Sequence, residues 1–410
     1  MRNLLTILFL FLFVAGYGST IEVGRDRVVT SLRKAVALAQ DGDTILLHKG
    51  IYKEGNITIT KSIRLIGVDN PVLDGEKENE LLTVSGTGIL IKGITFRNSG
   101  YSSMDDYAAL KIIDASYIIV EHNIINNAFF AIHVANASKV IIRNNTIKTF
   151  SESEQISGNG IHLWKCRDML ITDNHIEGHR DGIYFEFVYH SFIQNNHSKK
   201  NIRYGLHFMF SNNNSYLNNT FVNNGAGVAV MYSKDVLMHG NTFDRNWGAA
   251  AYGLLLKDIS NSQIINNRFL QNTMAILMEG TSRINVFRNT FRNNGWAMKV
   301  QANCNENEFH HNNFLSNTFD VSTNGHMTLN FFYNNYWDKY EGYDMDRNRI
   351  GDIPYHPISM YSMVIEQNEN AVILMRSFMV TLLDKAEKAI PSLTPENLVD
   401  TAPYMKPIKL

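Results

Sequence analysis

Polar and apolar positions recur along this chain with a period of about 22 residues between Ala109 and Phe291. Eight asparagines mark the repeat, and each lies 14 residues after an alanine or a glycine. They are Asn123, Asn145, Asn174, Asn196, Asn219, Asn241, Asn267 and Asn289. Successive members are separated by 22, 29, 22, 23, 22, 26 and 22 residues. A period of ~20–50 residues is typical of repeat proteins, whose units bury their apolar faces against one another.

Three other positions of the repeat are apolar in almost every unit. Counted from the small residue, they are +1, +3 and +11. Position +1 is occupied by Leu110, Ile132, Ile161, Ile183, Leu206, Val228, Leu254 and Ile276. Because neighbouring side chains of a strand point to opposite sides, +1 and +3 face the interior, whereas +2 and +4 face outward. Short strands joined by turns predict an all-β fold, a parallel β-helix, and the Ile, Val and Phe columns disfavour a leucine-rich repeat.

The asparagine column is predicted to lie at a turn. Asparagine tolerates the left-handed backbone conformation, and identical amides on stacked coils can hydrogen-bond as a ladder. Ser198 interrupts the apolar column that follows the asparagines by two residues. The histidines at 175, 179, 190 and 197 are expected at turns and on the surface.

The two ends of the repeat region differ from its centre. Residues 31–39 have the spacing of an amphipathic helix that would cover the open end of the stack. Strands are expected at 44–48, 56–60, 62–66 and 89–96. The segment 334–358 would close the β-helix, 370–390 reads as an apolar helix, and 391–410 as an extended tail. The predicted domains are a signal peptide (1–18), the capped β-helix (19–360) and a C-terminal helical docking segment with its tail (361–410).

The first residues have the pattern of a secretory signal peptide. Arg2 precedes an apolar run from Leu4 to Val14, and the small residues Gly16 and Gly18 follow. The run is shorter than the ~20 residues that a membrane-spanning helix needs. The pattern therefore predicts export.

Charge and cysteine content exclude some classes of protein. The 38 Lys and Arg residues nearly balance the 39 Asp and Glu residues, which disfavours a nucleic-acid partner. Cys166 and Cys304 lie about six coils apart, or ~29 Å at the usual strand spacing. A disulfide needs Cα atoms within ~7 Å, so these cysteines are expected to be free and buried.

The outward positions contain the candidate chemistry. Positions +2 and +4 bring together imidazole, thioether and carboxylate groups, with Trp164 at the border. They are His162, Glu186, His207, Met209 and Met231. Imidazole and thioether together suit Cu(I). The alternative is that the methionines pack under a loop or a protein partner, because Met is common at adaptable binding surfaces.

Two other chemistries receive less support. A carbohydrate-active hydrolase needs two carboxylates ~5–9.5 Å apart. Asp181 and Glu186 would lie ~16 Å apart on an extended strand, so an enzyme is not expected. The Asp-rich loop 344–352 has alternating oxygen ligands, but Arg347 and Arg349 favour a structural turn over a calcium site.

Four segments of the repeat and two of the C-terminus resemble the NosD family, periplasmic accessory proteins of nitrous oxide reductase maturation. The repeat segments are "RDGIYFEFVYHS" (180–191), "RYGLHFMFSNNN" (203–214), "NNGAGVAVMYSKDV" (223–236) and "AAAYGLLLKDI" (249–259). The C-terminal ones are "NNYWDKYEGYDMDRNRIGDIPYHPISMYS" (334–362) and "KAEKAIPSLTPENLVDTAPYMKP" (385–407).

The resemblance implies a right-handed parallel β-helix without catalytic activity, held peripherally at the inner membrane on its periplasmic side. It implies an ABC-transporter permease with a cytoplasmic ATPase, a copper-chaperone lipoprotein and nitrous oxide reductase as partners, and copper or sulfur as cargo. The apolar helix would then dock on the permease through Val372, Leu374, Met375, Phe378, Met379, Leu382 and Leu383. A carbohydrate-active enzyme and a structural adaptor without metal remain alternatives.

Overall fold

The computed structural model describes residues 18–102, 106–150, 153–247, 251–325, 329–375, 377–389 and 398–410. The predicted signal peptide lies outside these residues except for Gly18. Three coils contain extra residues, at 99–107, 150–159 and 246–251, and parts of these insertions also lie outside the described residues.

Within the described residues the chain winds through three parallel sheets, which we number in the order in which a coil meets them after its small residue. The first sheet has 12 strands: Ile57–Ile59, Leu82–Thr87, Ala108–Ser116, Phe130–Ala135, Ile161–Trp164, Asp181–Glu186, Tyr204–Met209, Ala226–Met231, Tyr252–Lys257, Met274–Glu279, Trp296–Val300 and Phe319–Ser322.

The second sheet has 14 strands among the described residues: Thr20–Val23, Thr44–Leu47, Arg64–Gly67, Leu90–Lys92, Ile119–Glu121, Ile141–Arg143, Leu170–Thr172, Phe192–Gln194, Ser215–Leu217, Leu237–His239, Ser260–Ile265, Ser282–Phe287, Asn305–His310 and Leu329–Tyr333. The third sheet has 13 in the same part of the chain: Ile51–Tyr52, Val72–Asp74, Thr95–Arg97, Ile124–Asn126, Thr146–Lys148, His175–Glu177, His197–Lys199, Thr220–Val222, Thr242–Asp244, Arg268–Leu270, Thr290–Arg292, Asn313–Leu315 and Tyr336–Trp337.

The interior consists of the apolar columns that the sequence predicts. Residues at +1, +3 and +11 of the repeats are fully buried, as Leu206, Phe208 and Tyr216 illustrate. Cys166 and Cys304 are both free and buried. The prediction of a parallel β-helix is confirmed, and so is the prediction that the two cysteines do not pair.

The small residue that opens each repeat is required by close packing. A Cβ atom at Gly205 would lie 2.7 Å from the Gly227 carbonyl oxygen and 2.8 Å from the Phe221 ring. These distances are shorter than van der Waals contact. The start of the coil therefore admits only the smallest side chains where a ring packs beneath it.

The asparagine column forms the predicted amide ladder. The Asn123 backbone N–H and side-chain amide donate to Asn145 Oδ1 at 3.0 and 3.1 Å. Each later member repeats this pattern on the next coil, and the side-chain amide also donates to a backbone carbonyl. The expected left-handed backbone was wrong for the asparagines themselves. The residue before each one, such as His122 or Asn144, has the positive φ instead.

A second amide ladder runs five residues after the first. It contains Asn201, Asn224, Asn246, Asn272, Asn294 and Asn317. His179 occupies the same position one coil earlier, and its N–H donates to Asn201 Oδ1 at 3.0 Å. Its side chain is buried, contrary to the expected surface position, because the second ladder lies inside the coil.

A short helix covers the N-terminal end. Helix α1 (Leu32–Leu38) buries Leu32 and two further apolar residues, close to the predicted 31–39. Its first turn is capped by Ser31, and the Glu54 carboxylate accepts from the N–H groups of Leu32 and Arg33 at 2.8 and 2.9 Å. A carboxylate at a helix N-terminus satisfies donors that have no partner within the helix.

The chain returns at its end to cover the last coils. Asp400 Oδ2 accepts from the Asn335 backbone and side-chain amides at 3.0 Å and from Trp337 Nε1 at 2.9 Å. A carboxylate ends the first ladder here because it accepts hydrogen bonds and needs no further acceptor. Asn313 is also bonded to the backbone of Ile408. The segment 398–410 is thus part of the C-terminal cap.

The predicted C-terminal helix is interrupted. Helix α2 (Met360–Gln367) is followed by a 3₁₀ turn (Glu369–Leu374) and by helix α3 (Phe378–Ala389). The Ser377 N–H bonds to the Leu374 carbonyl, which is turn geometry and not a continuous α-helix. A further 3₁₀ turn, Glu154–Ile156, lies in the insertion at 150–159.

Candidate functional site

The predicted soft-metal residues lie side by side on the outer face of the first sheet. Glu186, Met209 and Met231 are register partners on three consecutive strands. His207 lies two residues before Met209, and His162 lies two strands away in the same column as His207. With strands ~4.8 Å apart, the five residues span ~14 Å along the stack. The structure brings them together as the repeat register predicts, whereas metal binding by them stays a prediction.

This outer face is less exposed than the alternation of sides suggests. His207 is 4% exposed and Tyr184 9%. Their rings belong to a column that continues through His162 and His133, with centroid separations of 5.0, 4.8 and 4.9 Å. Large rings on successive strands cover one another, so outward orientation does not bring full contact with water.

Tyr184 lies at the centre of the cluster, and sequence reasoning gave it no role. Its hydroxyl oxygen lies 3.3 Å from Glu186 Oε2 and 3.5 Å from Met209 Sδ. Burial, together with the Glu186 carboxylate, raises the pKa of Tyr184 to about 12. The phenol therefore stays protonated at neutral pH and donates its single proton to one of these acceptors. The signal for it was the Tyr–x–Glu spacing on the outward side of one strand.

A buried ion pair lies beneath His207. The Asp181 carboxylate has no solvent exposure and accepts from Arg203 Nε and Nη2 at 3.1 and 2.8 Å. The Tyr204 N–H donates to it as well, at 3.2 Å. Burial alone would raise the pKa of Asp181, but hydrogen bonding by His207 and the charge of Arg203 outweigh it and hold that pKa below its ordinary value.

The ion pair favours one tautomer of His207. Nδ1 lies 3.5 Å from Asp181 Oδ2 and 3.4 Å from Arg203 Nη2. Because the ionised Asp181 carboxylate can only accept a hydrogen bond, we assign the proton to Nδ1, facing Asp181. The lone pair is then on Nε2, which is buried and has no hydrogen-bond partner within the described residues. An imidazole nitrogen in this state is a metal-ligand atom.

The predicted metal ligands His207, Met209, Met231 and Glu186 form what we call the soft-donor cluster, because most of their donor atoms are soft or borderline. Among the described residues no group of three or more His, Cys, Asp or Glu side chains is arranged to hold a metal ion. The cluster instead combines one imidazole, two half-buried thioethers and one carboxylate. The unpartnered Nε2 of His207 and the neighbouring thioethers fit Cu(I), which prefers sulfur and imidazole ligands.

The outer face continues as an apolar surface toward the C-terminus. Ala229, Leu255 and Leu277 follow His207 in its column and form a separate apolar cluster outside the core. Met231 and Met274 pack against this cluster. Met231 thus has a packing role, as the alternative interpretation expected, in addition to its place beside Met209.

Helix α2 rests on the same face, farther along the stack. Tyr361 and Ile365 pack against Phe319 of the first sheet. Lys299, on the preceding strand of that sheet, forms a 2.6 Å ion pair with Glu366. The C-terminal helices are therefore held on the face that also bears the soft-donor cluster.

The predicted partner-binding residues divide into two groups. Val372 and Leu383 are half-buried, and Val372 packs with the Phe319 cluster. The exposed members are Leu374, Met375, Phe378, Met379 and Leu382. Phe378 is 81% exposed, and Ile373, which the prediction omitted, is 86% exposed. In the described part of the chain no helix is long and apolar enough to cross a membrane.

The fold has relatives among solved structures. PfbA, a surface adhesin of Streptococcus pneumoniae, superimposes with a TM-score of 0.60 at 12% identity, covering 71% of this chain and 89% of that chain. At this identity the likeness concerns the fold alone. The chain is a parallel β-helix protein.

Sequence comparison supports one family. A family model described as "Periplasmic copper-binding protein (NosD)" matches residues 148–345, which include all five predicted soft-metal residues. The "Probable ABC transporter binding protein NosD" of Pseudomonas aeruginosa is 26% identical over 397 residues, covering 90% of each chain. Its namesake from Stutzerimonas stutzeri is 26% identical over 382 residues, covering 88% of this chain and 86% of the relative. The family model and both relatives support the NosD family for this chain.

Proposed function

We propose that this protein is a non-catalytic periplasmic accessory protein that binds Cu(I) and docks on an ABC transporter. It would take part in assembling the copper centres of nitrous oxide reductase, together with a copper-chaperone lipoprotein. One observation carries the proposal: Met209 and Met231 are adjacent in register, next to Glu186 and to a His207 whose Nε2 lacks a partner. The copper-binding description of the family supports the same function.

Each residue of the cluster has a distinct role in this proposal. The thioethers of Met209 and Met231 and the imidazole of His207 bind Cu(I), since these are soft or borderline donors. His162 lies at the edge of the cluster, two strands from Met209, and Glu186 offsets the positive charge of the ion. The hydroxyl group of Tyr184 lies between Glu186 and Met209 and donates its one proton to either acceptor. Half-exposed thioethers suit a cargo that must leave again.

Docking is assigned to the exposed apolar residues of the C-terminal helices. Exposed apolar groups of this size mark interaction surfaces in water-soluble domains. The names of the relatives support an ABC transporter as the partner. The membrane permease is the component that a periplasmic chain can reach, and the cytoplasmic ATPase would act through it.

Copper binding is tested by anaerobic titration of the mature chain with Cu(I) against the chelator bathocuproine disulfonate. We expect the wild type to withdraw Cu(I) from the chelator, and Met209→Ala with Met231→Ala to weaken binding at least tenfold. Met274→Ala is the matched control, because its thioether packs on the same apolar cluster two strands from Met231.

Two results would contradict the proposal. If the double variant binds Cu(I) as the wild type does, the ligands are elsewhere. If the wild type takes up no Cu(I), the alternative of a structural adaptor without metal replaces the copper-binding function.

A further inference from the structure

A groove lies beside the soft-donor cluster, at the turn where each coil leaves the first sheet. It is open to solvent and has a volume of about 620 Å³ across three consecutive coils. Its walls are formed by Asn136, Ser138, Lys165, Arg167, Phe187 and Tyr189. These residues occupy positions +5 and +7 of their repeats. A volume of 300–1,000 Å³ is the usual size of a small-molecule site.

One end of the groove is a stack of aromatic rings. Phe187, Phe210 and Tyr232 occupy position +5 on successive coils, with ring centroids 5.3 and 5.1 Å apart and interplanar angles of 11° and 14°. All three have left-handed backbone, with φ of 55°, 49° and 52°. In the other repeats position +5 is Asp114, Asn136, Lys165, Asp258 or Gly280. Bulky rings in this conformation cost ~1–2 kcal/mol each, which suggests a functional reason for them.

The stack stops at the cavity. Phe210 covers one face of the Phe187 ring. On the other side, the preceding coil has Lys165 at position +5, and its Nζ lies 4.1 Å from the centroid of the Trp164 ring. The lysine side chain is thus directed toward Trp164, and the second face of Phe187 borders the groove. The open position would hold one more ring of the stack.

The charge of the groove is positive. Lys165 and Arg167 are exposed, and neither is ion-paired with any residue in the described ranges. No carboxylate lines the cavity. The polar groups that remain, on Asn136 and Ser138, are neutral. An anion next to an aromatic wall is the ligand chemistry that matches such a groove.

We propose that this groove binds an aromatic group that bears a carboxylate. The ring stacks on the free face of Phe187, about one strand spacing (~5 Å) away, and so extends the stack by one member. The carboxylate is bound by Arg167, with Lys165 as a second positive charge. The site is separate from the proposed Cu(I) ligands and does not depend on them.

The test uses N-acetyl-L-phenylalanine as the probe, titrated into the folded chain by calorimetry. The acid should bind at least tenfold more tightly than N-acetyl-L-phenylalanine amide, which lacks the charge. Arg167→Gln should weaken binding of the acid by tenfold or more. Lys234→Gln is the control, because Lys234 has the same repeat position three coils away and does not line the cavity.

In a second variant, a side chain of the protein itself occupies the proposed ligand position in the groove. Lys165→Phe places a ring in the open position of the stack, so binding of the acid should be lost while the thermal unfolding midpoint stays within a few degrees of the wild type. Equal binding of acid and amide, or unchanged binding in Arg167→Gln or Lys165→Phe, would overturn the proposal.

Comparison of N-acetyl-L-phenylalanine with a peptide shows whether the ligand is a free small molecule or the end of a protein chain. A pentapeptide ending in phenylalanine with a free carboxylate represents the C-terminus of a protein. If it binds as tightly as the acetylated amino acid, the site accepts a chain terminus. If only the amino acid binds, the site takes free small molecules. Failure of both overturns the proposal without affecting the Cu(I) titration.

Discussion

Asp181 is a fully buried carboxylate whose neighbours all stabilise its charge. Arg203 bonds to both of its oxygens, and the Tyr204 N–H supplies a third donor. His207 faces the same carboxylate through Nδ1. Asp181 therefore orients the imidazole of His207 and neutralises the guanidinium of Arg203 beneath the outer face of the first sheet.

Replacing Asp181 by Asn should lower the free energy of unfolding by about 3 kcal/mol, because removing one member of a buried ion pair leaves the other without compensation. Urea denaturation measures the change. Asp244→Asn is the matched control: its ion pair with Arg245 is at the surface, so we expect a loss below about 1 kcal/mol. Equal losses for the two variants would show that the buried Asp181–Arg203 pair contributes no more to the free energy of unfolding than a surface ion pair.

The position of the candidate residues followed from the sequence, but their contacts did not. The register places Glu186, Met209 and Met231 in one column because the repeat fixes which residues are neighbours. It does not give ring tilts or hydroxyl positions, so the bridging role of Tyr184 was missed. The sequence indicates for Asp181 only a possible catalytic carboxylate, because its partner Arg203 comes just before a different strand, Tyr204–Met209.

At the scale of the element, the second amide ladder begins with a histidine. His179 is fully buried, and both ring nitrogens lack partners within the described part of the chain. Burial lowers the pKa of His179 to about 3. The unfolded chain binds a proton near pH 6.5 and the folded chain does not, so His179 reduces stability as the pH falls from about 6.5 toward 3.

His179→Asn should remove this pH dependence and extend the ladder by one amide. Between pH 6.5 and pH 5 the wild type should lose about 1.5 kcal/mol more unfolding free energy than the variant, at up to ~1.4 kcal/mol per pH unit. Denaturation at the two pH values measures the difference. His190→Asn, at an exposed position, should leave the dependence unchanged. A His179→Asn variant with the wild-type pH slope would contradict the assignment.

The first amide ladder was predicted from the sequence, and the second was not. The first stood out because its asparagines follow small residues at a constant interval. The second lies five residues after the first, and that constant offset was the signal that could have revealed it. The interruption of the C-terminal helix by the 3₁₀ turn Glu369–Leu374 was not visible in the sequence, because the run of apolar residues continues through that turn.

At the scale of the whole molecule, one face of the solenoid contains both candidate surfaces. The soft-donor cluster, the outer apolar cluster and the C-terminal helices follow one another along the outside of the first sheet. From Met231 to the strand of Lys299 there are three strand spacings, or ~14 Å. A partner seated on the helices would thus extend over the apolar cluster toward the methionines.

Docking should depend on the exposed residues of α3. The triple variant Phe378→Ser, Met379→Ser and Leu382→Ser should recover at least tenfold less permease in pull-downs from detergent-solubilised membranes, because the apolar contact is lost. Phe150→Ser is the control: that side chain is about as exposed as Phe378, at 85% against 81%, but lies in an insertion in a different part of the chain. Substitution is preferable to truncation, since residues 398–410 cap the β-helix. Undiminished recovery with the triple variant would exclude this surface.

Most of the architecture was predictable because every coil of a solenoid repeats the same pattern of small, apolar and asparagine positions. The pattern recurs in many coils, so it can be recognised in the sequence. The closure of the C-terminal end was not predictable from the sequence, because Asp400 lies 65 residues from its partner Asn335 and outside the repeat. A contact that occurs once has no periodicity to reveal it.

The first ladder has a direction. Each asparagine donates to the one on the following coil, so every coil depends on an acceptor that lies later in the chain. A chain that emerges from its N-terminus therefore always has donors without acceptors at its growing end. Only the arrival of Asp400 closes the series. Closure of the ladder therefore waits for a residue 65 positions after Asn335, and a chain that stops short of Asp400 would expose an open strand edge to other molecules.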